Sequence, residues 1–259
     1  MSLIYVPNGK AREYSPLALN IYNGCDHGCS YCYAPLIRRD LSLNKTVHVR
    51  NKFLETLEKE LLKHVPKEQI LLSFMCDPYS HFDVDFKLTR AVVEYLNLKK
   101  CFVAILTKGG SRCLRDIDIF KRFGSRLKVG ATLTFLSEEK SLLIEPKAAL
   151  PKDRIETLKI LHESGIKTWV SIEPVIDPIE SLQLIEQTVK FVDQYKIGKM
   201  NHFEKRFNPD IDWKKFMIDS VSILRKANKQ FYVKQDLREF DDENFLLHHE
   251  KNMNALNLI

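Results

Sequence analysis

The chain has 259 residues, of which 44% are hydrophobic, and a formal net charge of +6. That length can bury the core of one α/β barrel-type domain. The sequence contains no run of about 18 apolar residues that would span a membrane. It also shows no apolar signal segment, so its six cysteines do not indicate a secreted disulfide framework. These features predict a protein of the reducing cytoplasm.

Charge is distributed unevenly along the chain. Residues 236–259 carry two basic and six acidic side chains, net −4, which leaves +10 on residues 1–235. A basic body suits a phosphate-rich partner, although lysine-rich solvated faces are common in any protein. We expect a folded body over 1–235 and an acidic C-terminal tail over 236–259 that is packed or partly disordered.

Strand-like and helix-like segments alternate along the chain. Short β-branched and aromatic runs predict strands at 17–22, 69–75, 101–107, 127–135, 167–172, 196–200 and 230–234. Amphipathic runs predict helices at 51–64, 85–98, 113–123, 152–164, 179–194 and 213–228. Gly165 is placed to end the fourth of these helices. Six or seven such βα units predict a parallel sheet in a curved, incomplete barrel.

Three cysteines follow the first predicted strand. Cys25, Cys29 and Cys32 have the spacing Cys-x3-Cys-x2-Cys. A [4Fe–4S] cluster usually takes four cysteine ligands, so three thiolates would leave the fourth iron open to another ligand. Zinc is the main alternative, because Cys-x2-Cys pairs also make structural zinc sites. His27 could be a fourth zinc ligand, but the sequence lacks a second Cys-x2-Cys pair.

Polar residues stand where several predicted strands end, which is the edge at which barrel active sites collect. They are Cys76 and Asp77, Thr107 and Lys108, Thr132 and Thr134, Glu173, Asn201 and His202, and Lys234 and Asp236. Each alone also fits an ordinary surface or core residue. Their joint position predicts a site at one rim of the barrel.

Four motifs occur in order along the chain. They are Tyr22-Asn-Gly-Cys-Asp-His-Gly-Cys-Ser-Tyr-Cys-Tyr-Ala34, then Asp77-Pro-Tyr79, then Leu106-Thr-Lys108 with Leu114-Arg-Asp-Ile117, then Ile144-Glu-Pro-Lys147 with Arg154. Together they resemble the radical S-adenosylmethionine (SAM) superfamily, in particular the group related to spore photoproduct lyase. The resemblance implies a partial (β/α)6 barrel, a [4Fe–4S] cluster, and SAM chelating its open iron. Reductive cleavage of SAM would then give a 5′-deoxyadenosyl radical.

The resemblance also implies roles for individual residues. Cys25, Cys29 and Cys32 would be the cluster ligands. The expected SAM-binding residues are Tyr31 near the adenine, Lys108 near the SAM carboxylate, Thr132 and Asp77 at the rim, and Glu145 and Arg154 around the pocket. Two structural alternatives stay open: Tyr31 as a core tyrosine, and Glu145 with Arg154 as a salt bridge that supports a loop.

Cys76 is a candidate catalytic residue. Spore photoproduct lyases carry a cysteine beyond the cluster motif that returns a hydrogen atom to the substrate radical, and Cys76 lies in a comparable region. The resemblance therefore implies that Cys76 is a hydrogen donor. The alternative is a buried cysteine that packs as a small hydrophobe.

We therefore expect a cytoplasmic radical SAM enzyme that abstracts hydrogen from a nucleic acid or nucleotide, as a DNA repair lyase does. Its partners would be a reductant such as flavodoxin or ferredoxin and a nucleic-acid substrate, with no membrane partner. Basic residues after the cysteines could receive a backbone phosphate; they are Arg38, Arg39, Lys45, Arg50 and Lys52. The acidic tail and the short segment before Cys25 depart from a DNA lyase.

Two other functions stay open at this point. One is radical modification of a peptide or small molecule. The other is a metal-stabilised nucleic-acid-binding protein without turnover. The sequence does not indicate an oligomeric state.

Overall fold

The structure is a computed structural model that describes residues 2–200, 204–207 and 210–257. Asn201 and His202 lie outside these described residues. The strands are β1 (Ile4–Tyr5), β2 (Leu17–Leu19), β3 (Tyr22–Asn23), β4 (His48–Val49), β5 (Ile70–Leu72), β6 (Val103–Thr107), β7 (Leu127–Thr132), β8 (Lys167–Ile172), β9 (Gln194–Ile197) and β10 (Gln230–Val233).

Helices fill most of the connections between strands. They are α1 (Ala34–Arg38), α2 (Phe53–Lys63), α3 (His81–Phe86), α4 (Leu88–Leu98), α5 (Ile117–Phe123), α6 (Glu138–Ile144), α7 (Pro151–Glu163), α8 (Pro178–Thr188), α9 (Glu204–Phe207), α10 (Trp213–Lys226) and α11 (Gln235–Arg238). Short 3-10 helices cover Gly9–Glu13, Gly110–Asp116, Gly124–Arg126, His248–Lys251 and Met253–Leu256.

The main sheet of the described residues has the strand order β1-β2-β5-β6-β7-β8-β9-β10, and β3 and β4 form a separate antiparallel pair. β1 is antiparallel to β2, and all later neighbours are parallel. Each parallel crossover contains at least one helix. In the described ranges no ladder joins β1 to β10, so the sheet stays open at its two edges. The predicted α/β architecture with a parallel sheet is confirmed.

Several predicted boundaries shift: the strands predicted at 17–22 and 69–75 end at Leu19 and Leu72, and the one predicted at 196–200 covers Gln194–Ile197. Two further shifts have identifiable reasons. The strand predicted over 127–135 ends at Thr132, because the chain turns and the Leu136 N–H donates to the Glu180 carboxylate at 2.7 Å. The helix predicted over 179–194 ends at Thr188, and the Asp193 carboxylate beyond it accepts the Thr168 N–H of β8 at 2.7 Å. Both changes arise from contacts between residues distant in sequence.

The apolar core has two main parts, one on each half of the sheet. The first packs β5, β6 and β7 against α2, α4 and α5. The second packs β8, β9 and β10 against α8 and α10. Gly165 follows α7 with a φ of +78°, a backbone conformation that favours glycine at a helix end. The predicted helix end is therefore confirmed.

The N-terminal segment bridges the open side of the sheet. Glu13 accepts hydrogen bonds from the Tyr232 hydroxyl and the Gln235 N–H, each at 2.7 Å. Lys196 of β9 donates to the main-chain carbonyls of Glu13 and Tyr14, each at 2.7 Å. These contacts tie the chain just before β2 to the last two strands.

The described part of the C-terminal tail packs against the body. Glu250 pairs with Arg225 of α10 at 2.7 Å, Leu256 is buried, and its carbonyl accepts a hydrogen bond from Lys128. Lys128 stands near the N-terminal end of β7, so the tail lies at the opposite end of the strands from the predicted site. None of the helices in the described ranges has the length and apolar character to span a membrane.

Candidate active site

The cysteine loop is shaped by a glycine and by the segment that follows α1. Gly24 has a φ of +88°, and a Cβ at this position would lie 2.1 Å from the Thr46 carbonyl oxygen. Only glycine therefore fits at this position. The next residue, Cys25, donates its N–H to the Leu43 carbonyl at 2.8 Å. This hydrogen bond fixes the position of the Cys25 main chain, from which the thiol projects.

Two more hydrogen bonds position the other cysteines. The Cys32 N–H donates to the Cys29 carbonyl at 3.1 Å, which closes a turn between them. The Ser30 N–H donates to the Ile144 carbonyl at 2.9 Å, which ties the loop to the end of α6. All three cysteines line the same cavity.

That cavity has a volume of about 630 Å³ and lies at the C-terminal ends of the strands. Most of the predicted site residues line it, and they are Cys25, Cys29, Cys32, Tyr31, Cys76, Asp77, Lys108 and Thr132. Glu145 and Arg154 do not line it, and each is only 1% exposed. The structure therefore brings the predicted residues together in two layers, a lining and a layer behind it.

Lys108 and Tyr31 form one wall of the cavity. The Lys108 ammonium lies 5.1 Å from the centre of the Tyr31 ring, within the range of a cation–π contact. Burial lowers the pKa of Lys108, but the neighbouring Cys29 and Glu145 raise it by a larger amount. The pKa of Lys108 is therefore above its usual value. The wall therefore presents an ammonium group beside an aromatic face.

Glu145 and Arg154 form a buried ion pair behind this wall. Glu145 also accepts hydrogen bonds from the Tyr31 hydroxyl and, at 3.2 Å, from the Thr134 hydroxyl. Arg154 donates to the Thr132 carbonyl at 3.0 Å. The pair thus holds Tyr31 and the end of β7 in place, which matches the salt-bridge alternative for these two residues.

Asp77 lies in the loop after β5, five residues beyond the end of that strand at Leu72. Its carboxylate accepts the Thr107 hydroxyl at 2.6 Å, the Lys108 N–H at 2.7 Å and the Tyr79 N–H at 2.8 Å. Burial raises the pKa of Asp77, but His27 and these donors lower it by a larger amount. The pKa of Asp77 is therefore below its usual value. A carboxylate held in this way fixes the turn that carries Lys108.

His27 has both ring nitrogens engaged. Nε2 lies 3.1 Å from Nη2 of Arg112, which donates to it, and Nδ1 faces the Asp77 carboxylate at 3.6 Å. Burial lowers the pKa of His27 to about 4, so the ring is neutral at neutral pH. These contacts occupy the histidine that a zinc site would use as its fourth ligand.

Cysteine thiolates are the ligands that iron–sulfur clusters take. In the part of the chain that the structure describes, no three His, Cys, Asp or Glu side chains converge on a single metal ion. Cluster ligands need not converge, since each cysteine binds its own iron. All six cysteines are free thiols, and burial raises the pKa of Cys29 to about 12. Thiolate ligation there needs the positive charge of bound metal.

Cys76, in the loop after β5, and Thr132, at the end of β7, both line the cavity. Cys76 is 8% exposed, and its sulfur accepts the Tyr22 N–H at 3.4 Å. Burial raises the pKa of Cys76 to about 11, so at neutral pH it is a thiol. Thr132 is 6% exposed at the end of β7.

The C-terminal strands add a polar cluster that the sequence only partly indicated. The Tyr14 hydroxyl hydrogen-bonds Ser171 at 2.8 Å and also donates to Glu173. Lys234 pairs with Glu173 at 2.6 Å and lies 4.8 Å from the centre of the Tyr14 ring. All four residues line the cavity. Glu173 and Lys234 were predicted as strand-end candidates, whereas Tyr14 and Ser171 were missed.

A parallel α/β sheet with three free thiols, a fixed lysine and a shared cavity at its C-terminal edge defines a barrel-type enzyme with a thiol-ligated cofactor site. The family model of the radical SAM superfamily matches residues 19–192. The chain therefore belongs to this superfamily and is a radical SAM enzyme. Membership implies SAM and an iron–sulfur cluster as cofactors. The non-catalytic alternative does not agree with this assignment.

Relatives of known sequence support the same family. The uncharacterized protein MJ0683 of Methanocaldococcus jannaschii is 34% identical over 187 residues, which are 71% of this chain and 70% of that protein. The uncharacterized protein ORF301 of Acidianus two-tailed virus is 26% identical over 243 residues, which are 84% of this chain and 79% of that protein.

Solved structures share the fold at low sequence identity. Spore photoproduct lyase complexed with dinucleoside spore photoproduct has a TM-score of 0.65 at 12% identity, covering 88% of this chain and 78% of that chain. Streptococcus suis SuiB bound to S-adenosylmethionine has a TM-score of 0.61 at 14% identity, covering 90% of this chain and 53% of that chain. These structures are radical SAM partial barrels, so the predicted partial barrel is confirmed.

Proposed function

We propose that Cys25, Cys29 and Cys32 hold a [4Fe–4S] cluster and that the enzyme cleaves SAM reductively to abstract hydrogen from a nucleic-acid substrate. The observation that carries the proposal is the shared cavity, where the three thiols of the cysteine loop lie together with the Lys108 ammonium and the Tyr31 ring. Bound there, the cluster would supply the electron that yields the 5′-deoxyadenosyl radical. The cytoplasm, which keeps thiols reduced, is the proposed compartment.

We assign SAM to the side of the cavity near the cysteines. Lys108 would make a charge-assisted contact to the SAM carboxylate, and Tyr31 would pack its ring against the adenine. The Thr132 hydroxyl would form a hydrogen bond with SAM at the rim. Asp77 would act by fixing the turn that carries Lys108. Glu145 and Arg154, which lie behind the lining, would support Tyr31 and Thr132 without touching SAM.

Cys76 has the position and protonation of a hydrogen donor. It faces the same cavity as the cluster loop, and its raised pKa keeps the S–H bond intact at neutral pH. A thiol S–H bond is weak enough to quench a carbon radical. We therefore propose that Cys76 returns a hydrogen atom to the substrate radical.

The substrate class is proposed from charge and from the second side of the cavity. Residues 1–235 carry a net charge of +10, which favours a phosphate-rich partner. On that side Tyr14, Glu173 and Lys234 form one hydrogen-bonded and ion-paired cluster that lines the cavity. An extruded base is recognised by stacking and by hydrogen bonds to its edge, so these groups suit a nucleobase brought out of the stack.

A peptide is the second candidate substrate. SuiB, whose structure bound to precursor peptide SuiA covers 91% of this chain with a TM-score of 0.61, shares the fold. That likeness, at 15% identity, favours no substrate by itself. The two substrate classes are distinguished by which of them stimulates the cleavage of SAM.

The experiment is anaerobic reconstitution with iron and sulfide, followed by dithionite, SAM and either oligonucleotides or a peptide library. Single-stranded and duplex DNA, with and without ultraviolet irradiation, should stimulate formation of 5′-deoxyadenosine. DNA affinity should fall as salt rises, because binding releases counterions from the DNA and a higher salt concentration opposes that release. Glu173→Gln should reduce the stimulation while leaving the basal cleavage of SAM unchanged. Stimulation by peptides alone would transfer the substrate to the second class.

A further inference from the structure

The segment after α1 covers the cysteine loop from outside. The buried Leu43 accepts the Cys25 N–H at 2.8 Å, and the Asn44 side chain donates to the Cys29 carbonyl at 3.4 Å. The neighbouring Lys45 is exposed. The segment 43–45 therefore joins the main chain of both cysteines to an exposed part of the surface.

Large aliphatic side chains are exposed on α1 and in the turn that follows it. Leu36 is 49% exposed, Ile37 61% and Leu41 75%. The Asp40 N–H donates to the Pro35 carbonyl at 3.1 Å, so the chain turns back directly after α1. Exposed apolar side chains gathered in this way mark an interaction site.

Basic side chains surround these apolar ones. Arg38, Arg39 and Lys45 are exposed, and in the residues that the structure describes no ion pair joins any of them to an acidic group. Asp40 instead accepts hydrogen bonds from the Ser42 N–H at 2.9 Å and the Ser42 hydroxyl at 2.7 Å. The positive charge of this surface is therefore left for a partner.

We propose that this α1 surface, formed by Leu36, Ile37, Arg38, Arg39, Leu41 and Lys45, docks an acidic one-electron carrier of the flavodoxin or ferredoxin class. The proposal rests on the proposed function, which needs an electron. One electron leaves the reduced carrier, which is oxidised, and enters the cluster, which is reduced; no atom is transferred. Docking here places the carrier next to the segment that hydrogen-bonds the cysteine loop.

The features of the surface favour a protein over a nucleic acid. An apolar centre with a charged rim is typical of a protein interface, whereas nucleic-acid interfaces are more polar. A substrate must also enter the cavity to meet a radical, but an electron carrier only needs to approach the cluster from outside. Ile37 lies between the α1 surface and the cavity, since it also lines the cavity.

The test measures binding of a purified, oxidised flavodoxin to the reconstituted enzyme at about 50 mM and about 200 mM salt. The variants are Arg38→Glu with Lys45→Glu, and Leu41→Ser alone. The matched control is Lys159→Glu with Lys226→Glu, two exposed lysines on the outer helices α7 and α10. The double charge reversal should weaken binding about tenfold or more at low salt, Leu41→Ser should weaken it at both salt concentrations, and the control should bind like wild type.

Cleavage of SAM with dithionite is measured in parallel, since a small chemical reductant needs no docking surface. All variants should match wild type with dithionite, while cleavage driven by reduced flavodoxin should fall in the α1 surface variants. Unchanged flavodoxin affinity in the double variant would overturn the proposal, as would loss of DNA affinity alone. Failure of wild type with dithionite would contradict the proposed function, and the binding measurement would still decide the docking surface.

Discussion

The Lys108 ammonium lies 5.1 Å from the centre of the Tyr31 ring, and the hydroxyl of that ring donates to Glu145. A cation at the end of β6 is thus joined through an aromatic residue of the cysteine loop to a buried carboxylate. The cofactor side of the cavity is consequently one connected unit. Changes to its members should have separable effects on binding and on stability.

Lys108→Met should weaken SAM binding. The substitution removes the charge-assisted contact proposed for the SAM carboxylate while keeping the length of the side chain, and we expect a loss of about tenfold to a hundredfold in affinity. Titration of the cluster-loaded enzyme with SAM measures it. Lys152→Met, at an exposed position on α7, is the control. Equal affinity in the two variants would remove Lys108 from the SAM site.

Glu145→Gln should lower the free energy of unfolding by about 3–5 kcal/mol, because it leaves the buried Arg154 without its partner. Urea denaturation of the metal-free protein measures the loss. The exposed Glu139→Gln should change stability by no more than about 0.5 kcal/mol. A similar small effect at Glu145 would show that the pair adds nothing to the fold.

The effect of Glu145→Gln should also depend on pH. Burial raises the pKa of Glu145, but Arg154 and Lys108 lower it by a larger amount. The folded-state pKa is therefore below its usual value. A depressed carboxyl pKa stabilises the fold above the unfolded pKa, about 4.3, and this contribution is lost as pH falls through the folded pKa. The difference between wild type and variant should therefore be full at neutral pH and shrink in acid. A constant difference would contradict the assignment.

Cys29→Ala should abolish the visible absorbance of the reconstituted protein and reduce its iron content. Three thiols are proposed to hold the cluster, so removing one leaves two protein ligands. Cys101→Ala is the matched control, because Cys101 is also buried but does not line the cavity. A Cys29 variant that keeps full iron would exclude this residue as a ligand.

Cys76→Ala should still form 5′-deoxyadenosine but give altered substrate products, because the substrate radical would lose its proposed hydrogen source. The raised pKa of Cys76, about 11, keeps the thiol protonated, so the wild-type product ratio should not change between roughly pH 6 and 9. Product analysis by mass spectrometry measures both. Cys113→Ala, a buried cysteine outside the cavity lining, should give wild-type products. Wild-type products from the Cys76 variant would make Cys76 a packing residue.

Local signals in the sequence were enough to predict the sheet and most of the cavity wall. The cysteine spacing, the strand ends at Asp77, Lys108 and Thr132, and the βα alternation each depend on neighbouring residues in the chain. Glu145 and Arg154 are also close in sequence, but their placement behind the lining depends on how α6 and α7 pack. Short helices such as α1 were missed, since five residues contain no full amphipathic period.

Tyr14 could not be found in this way. Its hydroxyl meets Ser171, which is 157 residues away in the chain, only because the N-terminal segment bridges the open side of the sheet. No periodicity or motif surrounds Tyr14 in the sequence. The polar inner face of β8 carried a weak signal, since Ser171 interrupts an otherwise apolar run.

The most direct test of the account is the amount of 5′-deoxyadenosine formed when the anaerobically reconstituted enzyme is reduced with dithionite in the presence of SAM. We expect this product to form with wild type, to disappear in Cys25→Ala, Cys29→Ala and Cys32→Ala, and to persist in Cys101→Ala. A wild-type protein that carries its iron–sulfur cluster, binds SAM and yet yields no 5′-deoxyadenosine would contradict it.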